Sequence, residues 1–194
     1  MTAYAELQVA SAFSFLREAS MPEELVATAA VLGLEAVAIT DRDTLAGVVR
    51  AHVAAKQAGI RLVVGARLAP TDGPELLVLP TDRAAYGRLS TLITVGRRRA
   101  PKGECDLTLS DICAHGEGQI VIAVPPAVPD AAFAEVLSKL RCDFNKNLYL
   151  SVNNLYLGDD SRRLADLGDL SAARGVPLVA TNDVHAHAAE RRPL

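Results

Sequence analysis

Apolar residues in this chain follow two alternating patterns. Short aliphatic runs, rich in β-branched residues, recur between longer stretches whose apolar positions repeat every three to four residues. Such alternation marks βα units around a largely parallel sheet. Residues 4–9 alternate with a period of two and read as the first strand. Ser20-Met21-Pro22-Glu23 then reads as a capping box, and Leu25, Val26, Ala29 and Leu32 form one helical face that stops at Gly33. Residues 36–40 predict a second strand. A helix is expected over 44–58, with Leu45, Val48, Val49 and Val53 inward and Gly59 as its stop. Residues 61–64 predict the third strand.

The repeat then breaks. Asp72-Gly73 makes a turn too short for a crossover helix, so residues 76–79 are expected to pair antiparallel with the third strand. A helix follows Asp82 with Tyr86, Leu89, Leu92 and Ile93 on one face. Residues 96–103, Gly-Arg-Arg-Arg-Ala-Pro-Lys-Gly, read as a basic loop before a short helix near Ser110. Strands are expected at 119–124, 148–152 and 177–181, and helices at 131–140 and 161–174. Seven strands suit an α/β fold of the irregular seven-stranded (β/α) TIM-like barrel kind, with an open doubly wound sheet as the alternative.

Composition narrows the function. The 194 residues are 50% hydrophobic and lack Trp, so one domain over 1–194 can bury an aliphatic core. A formal net charge of −3 is unlike a surface that grips nucleic acid unaided, so DNA contact is expected to be local or indirect. Cys105, Cys113 and Cys142 are odd in number and lack CxxC spacing, which argues against a disulfide framework or a structural zinc and for a cytoplasmic setting. The N-terminus has no signal-peptide pattern, and no run approaches the roughly 20 apolar residues of a membrane span. GxSxG, Walker A and GxGxxG patterns are absent, which removes support for serine hydrolase, P-loop and dinucleotide readings.

Polar residues with chemical potential fall at the expected strand C-termini: Gln8, Asp41, Arg67, Asp183 and His185. In parallel α/β folds that edge is where sites are built. The segments carrying them resemble a known family. Residues 5–16 (AELQVASAFSFL), 36–47 (AVAITDRDTLAG), 59–66 (GIRLVVGA) and 179–187 (VATNDVHAH) are similar, in order and spacing, to the PHP (polymerase and histidinol phosphatase) domains of bacterial C-family DNA polymerases. The Phe-Ser-Phe-Leu-Arg phrase and the Gly-Arg-Arg-Arg-Ala segment look most like the error-prone, damage-tolerance branch. The resemblance implies an N-terminal fragment of a much longer polymerase, without palm, fingers or thumb.

Metal-bearing members of that family hold up to three divalent ions that activate water for phosphoester hydrolysis. By the resemblance, their first His-x-His corresponds to Gln8 and Ala10. The acidic residue that follows corresponds to Arg17, the His after Thr-Asp to Arg42, and the Glu after the third strand's Gly to Arg67. A guanidinium has no acceptor and repels a nearby cation. Two later ligand places fall near Pro125-Pro126 and residues 151–155. Asp183 and His185 alone match ligand types, as vestigial metal residues. The expectation is therefore a structural domain with no catalytic residues, a degenerate metal site and no resident cofactor, with at most a weakly held Zn, Mn or Mg ion.

Two rival readings stand beside it: an active metal-dependent phosphoesterase or 3′-5′ exonuclease, and an independent small-molecule enzyme on a (β/α) barrel. Some of Arg17, Arg42 and Arg67 are expected to replace the lost cations by pairing with Asp41, Asp43 or Asp183. The expected partners are the rest of the polymerase chain and, through it, DNA, with no membrane and a monomeric isolated domain. His52, His115 and the 96–103 segment read as ordinary solvated surface.

Overall fold

The computed structural model describes residues 3–191 apart from 16, 155 and 157. The chain divides into two compact units, Met1–Arg67 with Thr181–Leu194, and Leu68–Ala180. Leu16 of the Phe-Ser-Phe-Leu-Arg phrase and Leu155 of the later ligand segment lie outside the described residues.

In the first unit, β1 (Ala5–Glu6), β2 (Ala36–Ile39) and β3 (Arg61–Val64) lie in that order and run parallel, with Ala36 opposite both Ala5 and Arg61. Helices α1 (Pro22–Val31) and α2 (Val48–Ala58) make the crossovers. The central strand β2 is buried at every position. A strand covered on both faces reads as a continuous apolar run, as Ala36-Val37-Ala38-Ile39 does. Val9, Leu25, Val26, Ala29, Val37, Ile39, Ala51 and Ala55 make the aliphatic core of this unit.

Several boundaries differ from the sequence pattern. The first strand is shorter than 4–9, because beyond Glu6 its ladder is replaced by an isolated parallel bridge, Val9 to Val184, and a hydrogen bond from the Thr40 N–H to the Val9 carbonyl. The cap of α1 lies one residue further on: the Met21 N–H donates to Glu24 Oε2 at 2.8 Å, while the Ser20 hydroxyl pairs with His187. Leu32, expected inward, is 69% exposed where α1 ends. Helix α2 starts at Val48 rather than 44, and its inward residues are Ala51 and Ala55, whereas Val49 and Val53 are 72% and 51% exposed. Helices α1 and α2 pack on one another, and small residues allow the close approach that larger ones would block.

The second sheet has five strands in the order β4 (Ala66–Leu68), β5 (Leu76–Pro80), β6 (Gln119–Ala123), β7 (Leu148–Val152) and β8 (Leu178–Ala180). Strand β5 runs antiparallel to β6, not to β3 as expected, and β6, β7 and β8 run parallel. The described residues thus hold eight strands in sheets of three and five, against the seven expected. The extra strand, Ala66-Arg67-Leu68, is too short and too polar at its centre to stand out as an apolar run.

Helix α3 (Arg83–Arg99) is capped by Asp82, whose carboxylate accepts from the Ala85 N–H at 2.7 Å. Leu89, Leu92 and Ile93 are buried on it, while Tyr86 is 39% exposed. Gly96 to Arg99 continue this helix, so the arginine triplet occupies its last turn rather than a loop. Cations there face the negative end of the helix dipole. Helices α4 (Leu109–Ala114), α5 (Ala131–Phe144) and α6 (Asp160–Arg174) complete the mixed α/β fold, with Asp130 capping α5. Among the described residues no helix is long and apolar enough to cross a membrane.

Candidate functional site

The strand ends of the first unit form four adjacent rows of chain. The Val184 N–H donates to the Gln8 carbonyl at 2.8 Å and the Ala10 N–H to the Val184 carbonyl at 3.0 Å, placing 183–185 beside 8–10. Next, the Thr40 N–H donates to the Val9 carbonyl at 2.8 Å. Last, the Arg67 N–H donates to the Asp41 carbonyl at 3.0 Å, and the Asp43 N–H to the Arg67 carbonyl at 2.8 Å. Peptide hydrogen bonds therefore carry the parallel order past the ends of β1, β2 and β3 and bring distant polar residues together.

Asp41 is 1% exposed, and its carboxylate accepts from the Ser11 N–H at 2.7 Å and from the Ser11 and Ser14 hydroxyls at 2.8 Å each. Burial pushes its pKa above the ordinary value despite these donors. Asp43 is buried, with Arg42 Nε 3.6 Å from its carboxylate. The half-buried Arg42 also donates its N–H to the Ser14 hydroxyl at 3.1 Å. Both Asp43 and Asp183 have left-handed backbone, with φ of 51° and 47°. Aspartate tolerates that region better than most residues, but at a cost in strain.

A chain of alternating charge links Arg67, Asp183, His185 and Glu18. Arg67 Nη1 lies 2.8 Å from Asp183 Oδ1, and the two side chains are only 12% and 22% exposed. The other Asp183 oxygen is 3.5 Å from His185 Nε2, and His185 Nδ1 is 2.5 Å from Glu18 Oε1. Burial would raise Asp183, but the hydrogen bond from His185 and the charge of Arg67 win and hold it below the usual carboxylate value. The Asp183 hydrogen bond, reinforced by Glu18 against burial, pushes His185 up to about 9. Burial raises Glu18, although the imidazole opposes it.

Gln8 is buried, its Oε1 accepting from the Thr181 hydroxyl at 2.8 Å while its Nε2 has no hydrogen-bond partner. Ala10 is 7% exposed in the second row, and Arg17 is exposed in the turn that leads to Glu18. Pro125, Pro126 and Ser151 belong to the second unit. Two acids escaped the sequence reading. Glu18 has a side chain only 3% exposed, and its Oε2 has no partner. Its only signal was an acid one residue beyond Arg17. Buried Glu6 accepts from the Gln8 and Asn182 N–H groups at 2.9 and 3.3 Å and from Tyr4 and Asn182 side chains at 2.8 and 2.9 Å, fastening the 182–185 segment to β1.

Metal ligation needs free lone pairs. His185 has one ring nitrogen against each of two carboxylates, and such a nitrogen gives its lone pair to an ion only after losing its proton. Among the described residues, no group of three or more His, Cys, Asp or Glu is arranged to hold a metal ion.

A family model for the PHP domain matches residues 6–154. The chain is 51% identical over 192 residues to the error-prone DNA polymerase of Caulobacter vibrioides and 47% identical over 191 to error-prone DNA polymerase 2 of Agrobacterium fabrum. Each match covers 98% of this chain but 18% of the relative, so the chain spans less than a fifth of their length. Among solved structures, a Bifidobacterium adolescentis protein assigned as a metal-dependent phosphoesterase superposes with a TM-score of 0.70 at 17% identity, covering 95% of this chain and 88% of its own. At that identity the likeness concerns the fold alone.

Proposed function

The chain belongs to the PHP-domain family, and from that premise we propose that it is the PHP domain of an error-prone DNA polymerase acting in damage tolerance, structural in role and without phosphoesterase activity of its own. The observation that carries this reading is the Arg67 guanidinium 2.8 Å from Asp183 Oδ1, a fixed positive charge set against one of the two ligand-type residues. Gln8, Ala10, Arg17, Arg42 and Arg67 stand where the family resemblance puts ligands, and none of these side chains supplies an imidazole or a carboxylate. Zn, Mn or Mg would be the expected ion of an active relative, and this residue set does not fit a multinuclear cluster of any of them.

On this reading residues 1–194 act as one PHP domain, in the cytoplasm, packed against the remainder of a polymerase that itself contacts DNA. The irregular seven-stranded barrel belongs to this reading; among the described residues the hydrogen-bonded strands form sheets of three and five. The competing phosphoesterase reading has one observation in its favour, the grouping of Glu18, Asp183 and His185.

Incubation with Mn²⁺ or Zn²⁺ and a 3′-ended oligonucleotide separates the two. We expect no cleavage above the protein-free control. Metal-dependent cleavage that disappears in Asp183→Ala would overturn the structural reading.

A further inference from the structure

The acids of the site take their partners from the chain itself. Peptide hydrogen bonds order the rows as 183–185, 8–10, 40–42 and then Arg67, so Arg67 and Asp183 start in the outermost rows. Their side chains nevertheless meet at 2.8 Å. The guanidinium therefore reaches across two rows of chain. Ala10 in one of them carries a single methyl group, and Asp41 in the other has its carboxylate engaged by Ser11 and Ser14.

We propose that the Arg67 guanidinium is a built-in cation, occupying by charge the place of a divalent ion beside Asp183, with Ala10 as the shortened residue that lets it reach. The inference rests on the degenerate-site reading above and says what fills such a site. A carboxylate taken out of water needs a compensating charge, and removing one partner of such a pair costs far more than never having formed it. Arginine is permanently charged and supplies that compensation at any pH at which the protein folds. Arg67 is also fixed at its root, since its N–H and carbonyl bind Asp41 and Asp43. Asp183 sits in left-handed backbone, and Glu18 keeps one buried oxygen without a partner that a restored ion could use.

A double-mutant cycle on this chain tests the pairing. Arg67→Gln is expected to lower the melting temperature by roughly 5–10 °C. Asp183→Asn with Arg67→Gln should lose less than the sum of the two single changes, because the neutral pair leaves no stranded charge. Additive losses would overturn the proposal.

Arg67→Glu supplies the second arm, with Mn²⁺ alone as the probe. Millimolar Mn²⁺ should raise its melting temperature by several degrees and leave the unsubstituted chain unmoved. Equal shifts in the two proteins, or none in Arg67→Glu, would overturn the proposal. Should Arg67→Glu fail to fold, the cycle with the neutral variants decides alone. DNA cleavage by the unsubstituted chain would sink the functional reading, whereas additive losses sink only the built-in cation.

Discussion

At the scale of single residues, the carboxylates of the first unit separate by how each is neutralised. Asp41 is satisfied by dipoles: one peptide N–H and two serine hydroxyls. Ser14→Ala removes one of these donors from a fully buried acceptor, and a loss of about 1–3 kcal/mol in urea denaturation is expected. Asp183 and Glu18 instead share His185, which sets a pH dependence. The folded imidazole sits at about 9 against an ordinary 6.5. Folding therefore favours its charged form, so this stabilisation is complete below pH 6.5 and is lost as the pH rises through 9. Melting temperature should fall across that window, and His185→Gln should flatten the fall. Ligand-type residues at 183 and 185 were legible from the Asp-x-His pattern. Glu18 was not, because nothing local distinguishes a buried acid in a turn from a solvated one.

At the scale of elements, packing selected residues that periodicity passed over. The pattern in α2 favoured Val49 and Val53, yet the buried positions are Ala51 and Ala55. Counting bulk finds an apolar face, but a close helix pair prefers the smallest side chains on it. Gly47, before α2, follows the same rule, since a Cβ there would lie 2.8 Å from Asp41 Oδ2, 3.2 Å from the Pro22 ring and 3.3 Å from Phe13. Asp41 cannot swing away without losing its serines. Gly47→Ala should therefore cost about 1–3 kcal/mol by denaturant titration, as overpacking does. Val53→Lys, on the exposed face, should change stability by no more than about 0.5 kcal/mol. Strands β2, β3, β6 and β7 were readable because they are aliphatic runs between clear stops. Strand β4 was not, since three residues centred on Arg67 owe their strand state to neighbouring chain.

At the scale of the whole molecule, charge bears on the proposed division of labour. A net charge of −3 and an arginine triplet gathered on the last turn of α3 leave little basic surface for the chain to hold DNA alone. Arg99 there is also engaged by Asp111 at 2.6 Å. Fluorescence anisotropy at physiological salt should find duplex DNA bound no more tightly than ordinary non-specific contact, about 10⁻⁴ to 10⁻⁶ M. Nanomolar binding would assign this chain a direct part in gripping the template. A light-scattering mass of one chain is expected for the isolated protein.

Read alone, the sequence determined the α/β class, the family and the identities of the residues at the positions where the family resemblance expects ligands. These follow from local periodicity and from residue types at fixed spacing, which survive without coordinates. Only the tertiary structure decided which charge meets which. Arg67 and Asp183 are 116 positions apart, as are no residues that a local pattern can connect. Their pairing depends on the order of four rows of backbone. Electrostatic partnership is a property of distance and burial, and both are set by the fold.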